Sequence, residues 1–267
     1  MTSKDLKKRV TLETTQQQST LFKRLRNKPF WIWNIQEHKY EDIVTNGDCC
    51  FNHIIGLPQK DGNDKPLYDY EQIIFDSLVT QISNKHLRIK KATGLGISEF
   101  MLRFMAWLCV RDNALSGSQM CIVTGPSIDL AIALIYRMKK LFSSSKGIAA
   151  TTFDTKETVI ELNGVKIEAF PSHHLDAMRG LSSVSFILLD EADFFPPGQQ
   201  QYARDVSERY IAKSNPYIVM VSTSNAPDGL FEQIEKESEE TCIYKRLFLD
   251  YTYGIGKDVH CRRNRES

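Results

Sequence analysis

The strongest chemical signal in the chain is a pair of acids behind a run of apolar residues. Phe186-Ile187-Leu188-Leu189 reads as a strand buried on both faces, and Asp190-Glu191 follow directly. In an open α/β sheet this puts both carboxylates at the C-terminal edge of a parallel strand, where ligands bind. There Asp190 is expected to hold Mg²⁺ and Glu191 to polarise an attacking water as general base. A second signal lies upstream. Lys91-Ala92-Thr93-Gly94-Leu95-Gly96-Ile97-Ser98 stands between a predicted strand and a predicted helix. Gly94 and Gly96 let the backbone of Thr93 to Ile97 fold tightly around phosphate oxygens, and the helix N-terminus adds a favourable dipole. Ser98 occupies the Mg²⁺-binding hydroxyl position of the G-x-x-x-x-G-K-[ST] pattern. The match has a displaced lysine: Ile97 stands at the usual lysine position, and Lys91 at that of the first glycine. The long stem of Lys91 can still carry its ammonium onto the β/γ-phosphates, with Lys90 as the adjacent alternative.

Further residues fit around this pair. Val219 to Ser222 is another buried run, and it ends in Thr223, Ser224 and Asn225. A small hydroxyl beside a γ-phosphate can sense its loss through a hydrogen bond. Arg179, in the loop Pro171 to Leu181 before the acidic strand, is a candidate arginine finger. Gln72 can read donor and acceptor on an adenine edge, with Tyr68 or Tyr70 packing on the ring. Taken singly, Gln72 reads as an exposed helix residue and Arg179 as a surface arginine. His173 and His174 lack partners that would complete a metal site. Cys49, Cys50 and His53, with His38, have no C-x₂-C spacing, and adjacent cysteines chelate one metal poorly, so buried thiols are expected.

The elements that must position these residues follow from periodicity. Helices are predicted over Tyr70–Ser83, Ile97–Asn113, about 128–142, 199–213 and about 229–239. Ser127 is the expected N-cap of the third. Strands are predicted over Leu87–Ala92, Gln119–Thr124, Val184–Leu189, Tyr217–Ser222 and about 242–249. Two or three short strands are expected in 151–170, with Asn163-Gly164 as a hairpin turn. Strands alternating with helices imply an α/β fold with a mainly parallel sheet flanked by helices. The expected core is that of a P-loop NTPase, with an extra strand between the phosphate loop and the acidic strand. Residues 1–64 are read as an arm and an irregular extension. Within it residues 1–28 are polar and read as a mobile arm or a loosely held helix, Phe30, Trp31 and Trp33 are pinned to the core, and Lys60 to Lys65 form a loop. Residues 65–250 form the ATPase domain, and 251–267 a linker or tail.

The bulk composition is that of an ordinary globular protein. The 267 residues are 42% hydrophobic and 25% charged, with a net charge of +1, so any nucleic-acid surface must be local. No apolar run reaches the roughly 18–20 residues of a membrane span. The charged N-terminus lacks an apolar signal region, and the six cysteines show no secreted framework, which points to free thiols in a reducing compartment.

Taken in order, these motifs resemble the ATPase half of terminase large subunits. The order is Gln72, the lysine-first loop 91–98, Arg179-Gly180, Asp190-Glu191-Ala192, Ser222-Thr223-Ser224-Asn225, then Pro227, Gly229 and Phe231. Thr124-Gly125-Pro126, with Ala131 and Arg137 in the next helix, adds to the likeness. It spans about residues 65–250. The resemblance implies ATP and Mg²⁺ as ligands, Gln72 at the adenine, Lys91 and Gly96 at the phosphates, and Ser98 and Asp190 at the metal. It further implies catalysis by Glu191, coupling through Thr223, and a finger role for Arg179 in its own subunit or a neighbour's. The implied partners are double-stranded DNA, a portal protein, a small terminase subunit and further copies in a homo-oligomeric ring, with no membrane. The implied location is the host cytoplasm. A complete terminase also carries a nuclease domain with clustered acids. None follows the linker-like Asp250 to Gly254 here, so no cleavage is expected of residues 1–267. The alternatives are another P-loop DNA translocase or helicase-like ATPase, and a nucleotide-binding module with little hydrolysis, the latter motivated by Ile97.

Overall fold

The computed structural model describes residues 16–33, 49–57, 59–60, 63–64, 67–81, 86–143, 156–225 and 227–255. Two compact units divide the chain. One comprises Met1–Leu67, Met101–Ser118 and Ala133–Ile167; the other comprises Tyr68–Phe100, Gln119–Ile132 and Glu168–Ser267.

The helices are α1 (residues 16–25), α2 (Phe51–Ile55), α3 (Asp69–Gln81), α4 (Ile97–Val110), α5 (Ile128–Ser143), α6 (Gln199–Lys213) and α7 (Leu230–Lys236). The strands are β1 (Gln59–Lys60), β2 (Asn63–Asp64), β3 (His86–Lys91), β4 (Gln119–Thr124), β5 (Val159–Leu162), β6 (Val165–Pro171), β7 (Val184–Asp190), β8 (Tyr217–Ser222) and β9 (Tyr244–Leu249). β1 and β2 form a small antiparallel ladder over much of the expected 60–65 loop. The others form one seven-stranded sheet in the order β5-β6-β4-β7-β8-β3-β9.

The second unit contains the run β4-β7-β8-β3-β9, in which every neighbouring pair is parallel. The sequence explains this directly. β4, β7 and β8 are near-continuous apolar runs buried on both faces, as crossover helices require. The sheet order also sharpens the expectation of an extra strand. The strand standing between the loop strand β3 and the acidic strand β7 is β8, the one that ends in Thr223. Each of these three motifs therefore leaves a C-terminal strand end side by side with the next. Ser127 caps α5 as expected, its hydroxyl accepting from the Asp129 amide at 3.1 Å.

In the first unit, residues 101–110 of α4 are buried all round, as a helix apolar on every face must be. Phe30 is fully buried and packs edge-on against Phe104 and Trp107 and face-on against Phe51. The Trp107 indole donates to the Lys28 carbonyl at 2.9 Å. Buried Arg103 donates to Asn52 and to the Gly56 carbonyl. The expected pinning of the aromatic segment thus has named partners. Asn163 and Gly164 both take positive φ, 52° and 77°, which is the backbone a tight hairpin turn demands.

One expectation is corrected. The segment after β6 is 3₁₀-helical over Ser172–Gly180, with a kink at His174, rather than a loop, because Leu175 and Met178 recur at helical spacing and are buried. Within the polar arm, residues 16–25 take the helical alternative of the two expected, and bury Leu21 and Leu25. Expectations touching residues 1–15, 61–62, 65, 82–83, 151–155 and 256–267, and His38, lie outside the described residues. Among the described residues no helix is long and apolar enough to cross a membrane.

Candidate functional site

The glycine loop leaves β3 at Lys91 and enters α4 at Ile97. Gly94 and Gly96 sit at φ 81° and 76°. A Cβ at either would meet nothing within 4 Å, so backbone conformation rather than crowding requires glycine there. The loop is held from below: the buried Tyr70 hydroxyl donates to the Leu95 carbonyl. Burial pushes the Tyr70 phenol well above its ordinary range, so it stays a proton donor.

The lysine and the acids converge. Lys91 is buried, and its Nζ donates to Glu191 Oε1 at 2.6 Å and to Thr223 Oγ1 at 3.2 Å. The second Glu191 oxygen accepts from the Thr223 amide at 3.2 Å and from Ser222 Oγ at 3.4 Å. Ser98 Oγ donates to Asp190 Oδ1 at 2.8 Å. Residues from three adjacent strand ends and one helix start thus share one spot, although Ser98 and Asp190 are 92 positions apart in the chain. Lys90 points elsewhere. It is half-buried on the opposite face of β3, with its Nζ over the Phe248 ring at 5.8 Å. The displaced lysine that reaches the acids is Lys91.

Ser98 and Asp190 offer a hydroxyl and a carboxylate 2.8 Å apart, the hard oxygen donors that suit Mg²⁺. The Lys91 ammonium and the loop amides suit phosphate oxygens. Glu191 is half-buried and fixed through both oxygens, a geometry fit to orient a water and accept its proton. Thr223 touches both the lysine and the glutamate, so a change at either reaches β8.

Other expected residues lie outside this cluster. Gln72 is half-buried on the first turn of α3, close in sequence to Tyr70. Thr93 is exposed on the loop. Arg179 is exposed and is held by Asp176, at 3.1 Å, and by the Tyr202 hydroxyl, at 2.7 Å. Neither of these partners belongs to the cluster around Lys91. His173 and His174 are exposed and stack on each other. The Cys49 and Cys50 sulfurs lie 3.7 Å apart, and burial pushes the Cys50 thiol up to about 12. Among the described residues no group of three or more His, Cys, Asp or Glu could hold a metal.

Several residues of the site escaped the sequence. Asp193, three positions beyond Asp190, is buried. It accepts from the Asn225 amide at 2.8 Å and the Phe231 amide at 3.1 Å. Gln200 donates to the Asp193 and Phe195 carbonyls and accepts from the Leu230 amide. These bonds fix the segment that follows Thr223. A third acid close behind Asp190 and Glu191 was the available signal. Arg88, in the middle of β3, is 1% exposed and donates to the Phe231 carbonyl at 2.7 Å and to Glu235. Burial lowers its guanidinium pKa, and Glu235 opposes that. Nothing in the sequence marked it.

No protein-family model matches the sequence, and no curated protein matches it. Solved structures do. The large terminase ATPase domain of Thermus phage P74-26 is similar with a TM-score of 0.51 at 14% identity, over 76% of this chain and 89% of that one. The large terminase of bacteriophage HK97 is similar with a TM-score of 0.51 at 16% identity, over 70% of this chain and 40% of that one. The large terminase of another, thermophilic bacteriophage gives 0.53 at 11% identity, over 69% of this chain and 46% of that one. With its parallel sheet, its glycine loop and the acids at the neighbouring strand end, this chain has the fold of the phage large-terminase ATPase domains, a P-loop NTPase fold.

Proposed function

We propose that this chain is the ATP-hydrolysing motor domain of a viral DNA-packaging enzyme of the terminase large-subunit type, moving double-stranded DNA into a procapsid. The observation that carries the reading is the meeting of Lys91 with Glu191 and Thr223 beside the Ser98–Asp190 pair. The loop amides of Thr93 to Ile97 and the Lys91 ammonium bind the phosphates. Ser98 and Asp190 hold Mg²⁺, which when bound neutralises phosphate charge. Glu191 orients the attacking water and takes its proton at a carboxylate oxygen. Lys91, drawn off Glu191 by a phosphate oxygen, frees the carboxylate oxygen it held, while Thr223 and Ser222 keep the other. Thr223, bonded to both side chains, passes the change to the segment after β8, which Asp193 and Gln200 tie to the acidic strand end. Gln72 reads the base, and Arg179 reaches the phosphates of its own or a neighbouring subunit. The partners are further copies in a ring, a portal protein and a small terminase subunit, in the host cytoplasm.

The test is paired. Glu191→Ala binds ATP but loses turnover by about 10²- to 10⁴-fold, the usual cost of removing a general base. Lys91→Ala loses both binding and turnover. Normal hydrolysis by Lys91→Ala would overturn the assignment of the loop. Hydrolysis by the unaltered chain that double-stranded DNA and procapsids leave unchanged would overturn the packaging reading and leave a plain ATPase.

A further inference from the structure

A cluster of tyrosines surrounds the crest of the glycine loop, and the expected adenine partners do not use all of it. Tyr70 is committed: it is 5% exposed, and its hydroxyl holds the Leu95 carbonyl. Tyr68 stacks on it at 5.6 Å with the rings 9° from parallel. The third ring comes from the short 3₁₀ turn after β9, Tyr251–Gly254. Tyr253 meets Tyr70 edge-on at 6.3 Å and remains 39% exposed. Its neighbour Gly254 lies so close to the loop that an added Cβ would sit 3.4 Å from Leu95 Cδ2. The Asp250 side chain fixes the turn by accepting from the Thr252 amide at 2.9 Å. A capped turn therefore rests against the phosphate loop and presents a part-exposed ring beside Tyr70, the α3 residue two positions before Gln72.

We propose that Tyr253 is the ring on which the nucleotide's purine base packs, so that the 251–254 turn forms the base-binding wall of the site. The proposal rests on the reading of loop 91–98 as a phosphate loop and adds to it the residue that selects a nucleoside triphosphate over a bare polyphosphate. Tyr70 cannot serve, since both its ring and its hydroxyl are taken up within the protein. Tyr253 has Tyr70 as a ring partner, which holds it in place, and keeps 39% of its surface open to solvent. An aromatic ring in that position gains stacking energy with any purine, and Gln72 adds the hydrogen bonds that distinguish one purine from another.

The experiment measures calorimetric binding of Mg-ATP and of inorganic tripolyphosphate, which has the phosphates but no base. The proteins compared are the unaltered chain, Tyr253→Ala and Tyr253→Phe. The expected result is a loss of ATP affinity on the order of tenfold in Tyr253→Ala, as stacking on one ring implies. Tripolyphosphate affinity stays unchanged, and Tyr253→Phe keeps both. Retained tripolyphosphate binding also reports that the variant is folded. An equal loss for both ligands would overturn the proposal, leaving Tyr253 as a brace for the loop. Undiminished ATP binding in Tyr253→Ala would overturn it too. If the unaltered chain bound neither ligand, the phosphate-loop reading itself would fall, and the stacking role with it.

Discussion

Glu191 sits in left-handed backbone, φ 54° and ψ 44°, a conformation that costs a non-glycine residue about 1–3 kcal/mol. Its side chain explains why it stays there. Lys91 holds one oxygen, and Thr223 and Ser222 hold the other. Strain at this position aims the carboxylate across the end of β8 instead of along β7. Gly94 and Gly96 of the loop also take positive φ, which glycine adopts without that strain. Gly94→Ala and Gly96→Ala are each expected to cost about 1–2 kcal/mol, all of it conformational because an added methyl meets nothing. Scanning calorimetry would then record a fall of roughly 2–4 °C per kcal/mol. Asn in place of Ala, which tolerates left-handed backbone better, should recover part of the loss at Gly94. A fall as large for Asn as for Ala would mean that contact, not φ, sets the requirement.

At the scale of elements, the sheet was legible because buried parallel strands are apolar without interruption. Gln119–Thr124 and Tyr217–Ser222 could be bounded to the residue for that reason. β3 hid its most unusual member. A charged side chain within a short strand reads as solvent-facing, and the groups that bury Arg88 come from α7, 143 and 147 positions further on. Helix α7 is thus tied to the loop strand by Arg88 and to the acidic strand end by Asp193. The partner of Arg88 is the more exposed of the two: Glu235 is 54% exposed against 1%. Removing Glu235 leaves a buried cation short of its carboxylate, whereas removing Arg88 leaves a carboxylate that water can reach. Glu235→Ala is therefore expected to destabilise more, by about 2–4 kcal/mol, than Arg88→Met, by about 1–3 kcal/mol, in urea denaturation. The reverse order would place the stabilisation in the Phe231 carbonyl bond instead of the ion pair. The same strand supplies a pH dependence. His86 Nδ1 accepts from the Ile218 amide, and burial lowers its pKa, with Glu208 opposing. The folded form then binds a proton less readily than the unfolded one. Stability is complete above His86's ordinary value of about 6.5 and is lost as pH falls below it. His86→Asn, which keeps an acceptor but does not titrate, should flatten the change in melting temperature between about pH 5 and 7. An unchanged slope would assign the acid sensitivity to another group.

For the whole molecule, the residue that the sequence could not place is Arg179. Its position before the acidic strand was readable, but its surroundings depended on α6 and on the 3₁₀ helix that the sequence presented as a loop. There Asp176 and Tyr202 hold it at the surface, and Tyr202 itself donates to Asp176 at 2.6 Å. The cluster of Lys91, Glu191 and Thr223 is assembled without it. An exposed arginine with weak surface partners is readily given up to a stronger anion, since an exposed ion pair contributes only about 0–1 kcal/mol. In the proposed ring such an arginine is available to a phosphate brought by a second copy of the chain. Two consequences can be measured together. If a neighbour completes each site, steady-state hydrolysis per chain should rise with protein concentration. Arg179→Ala and Glu191→Ala, each inactive alone, should regain activity when mixed, since some interfaces then pair an intact Glu191 with an intact Arg179. Activity that is independent of concentration and absent from the mixture would return Arg179 to its own subunit. In that case the Asp176 and Tyr202 contacts would have to break within a single chain at each turnover, and Asp176→Asn, which weakens that hold, should then speed hydrolysis at every concentration.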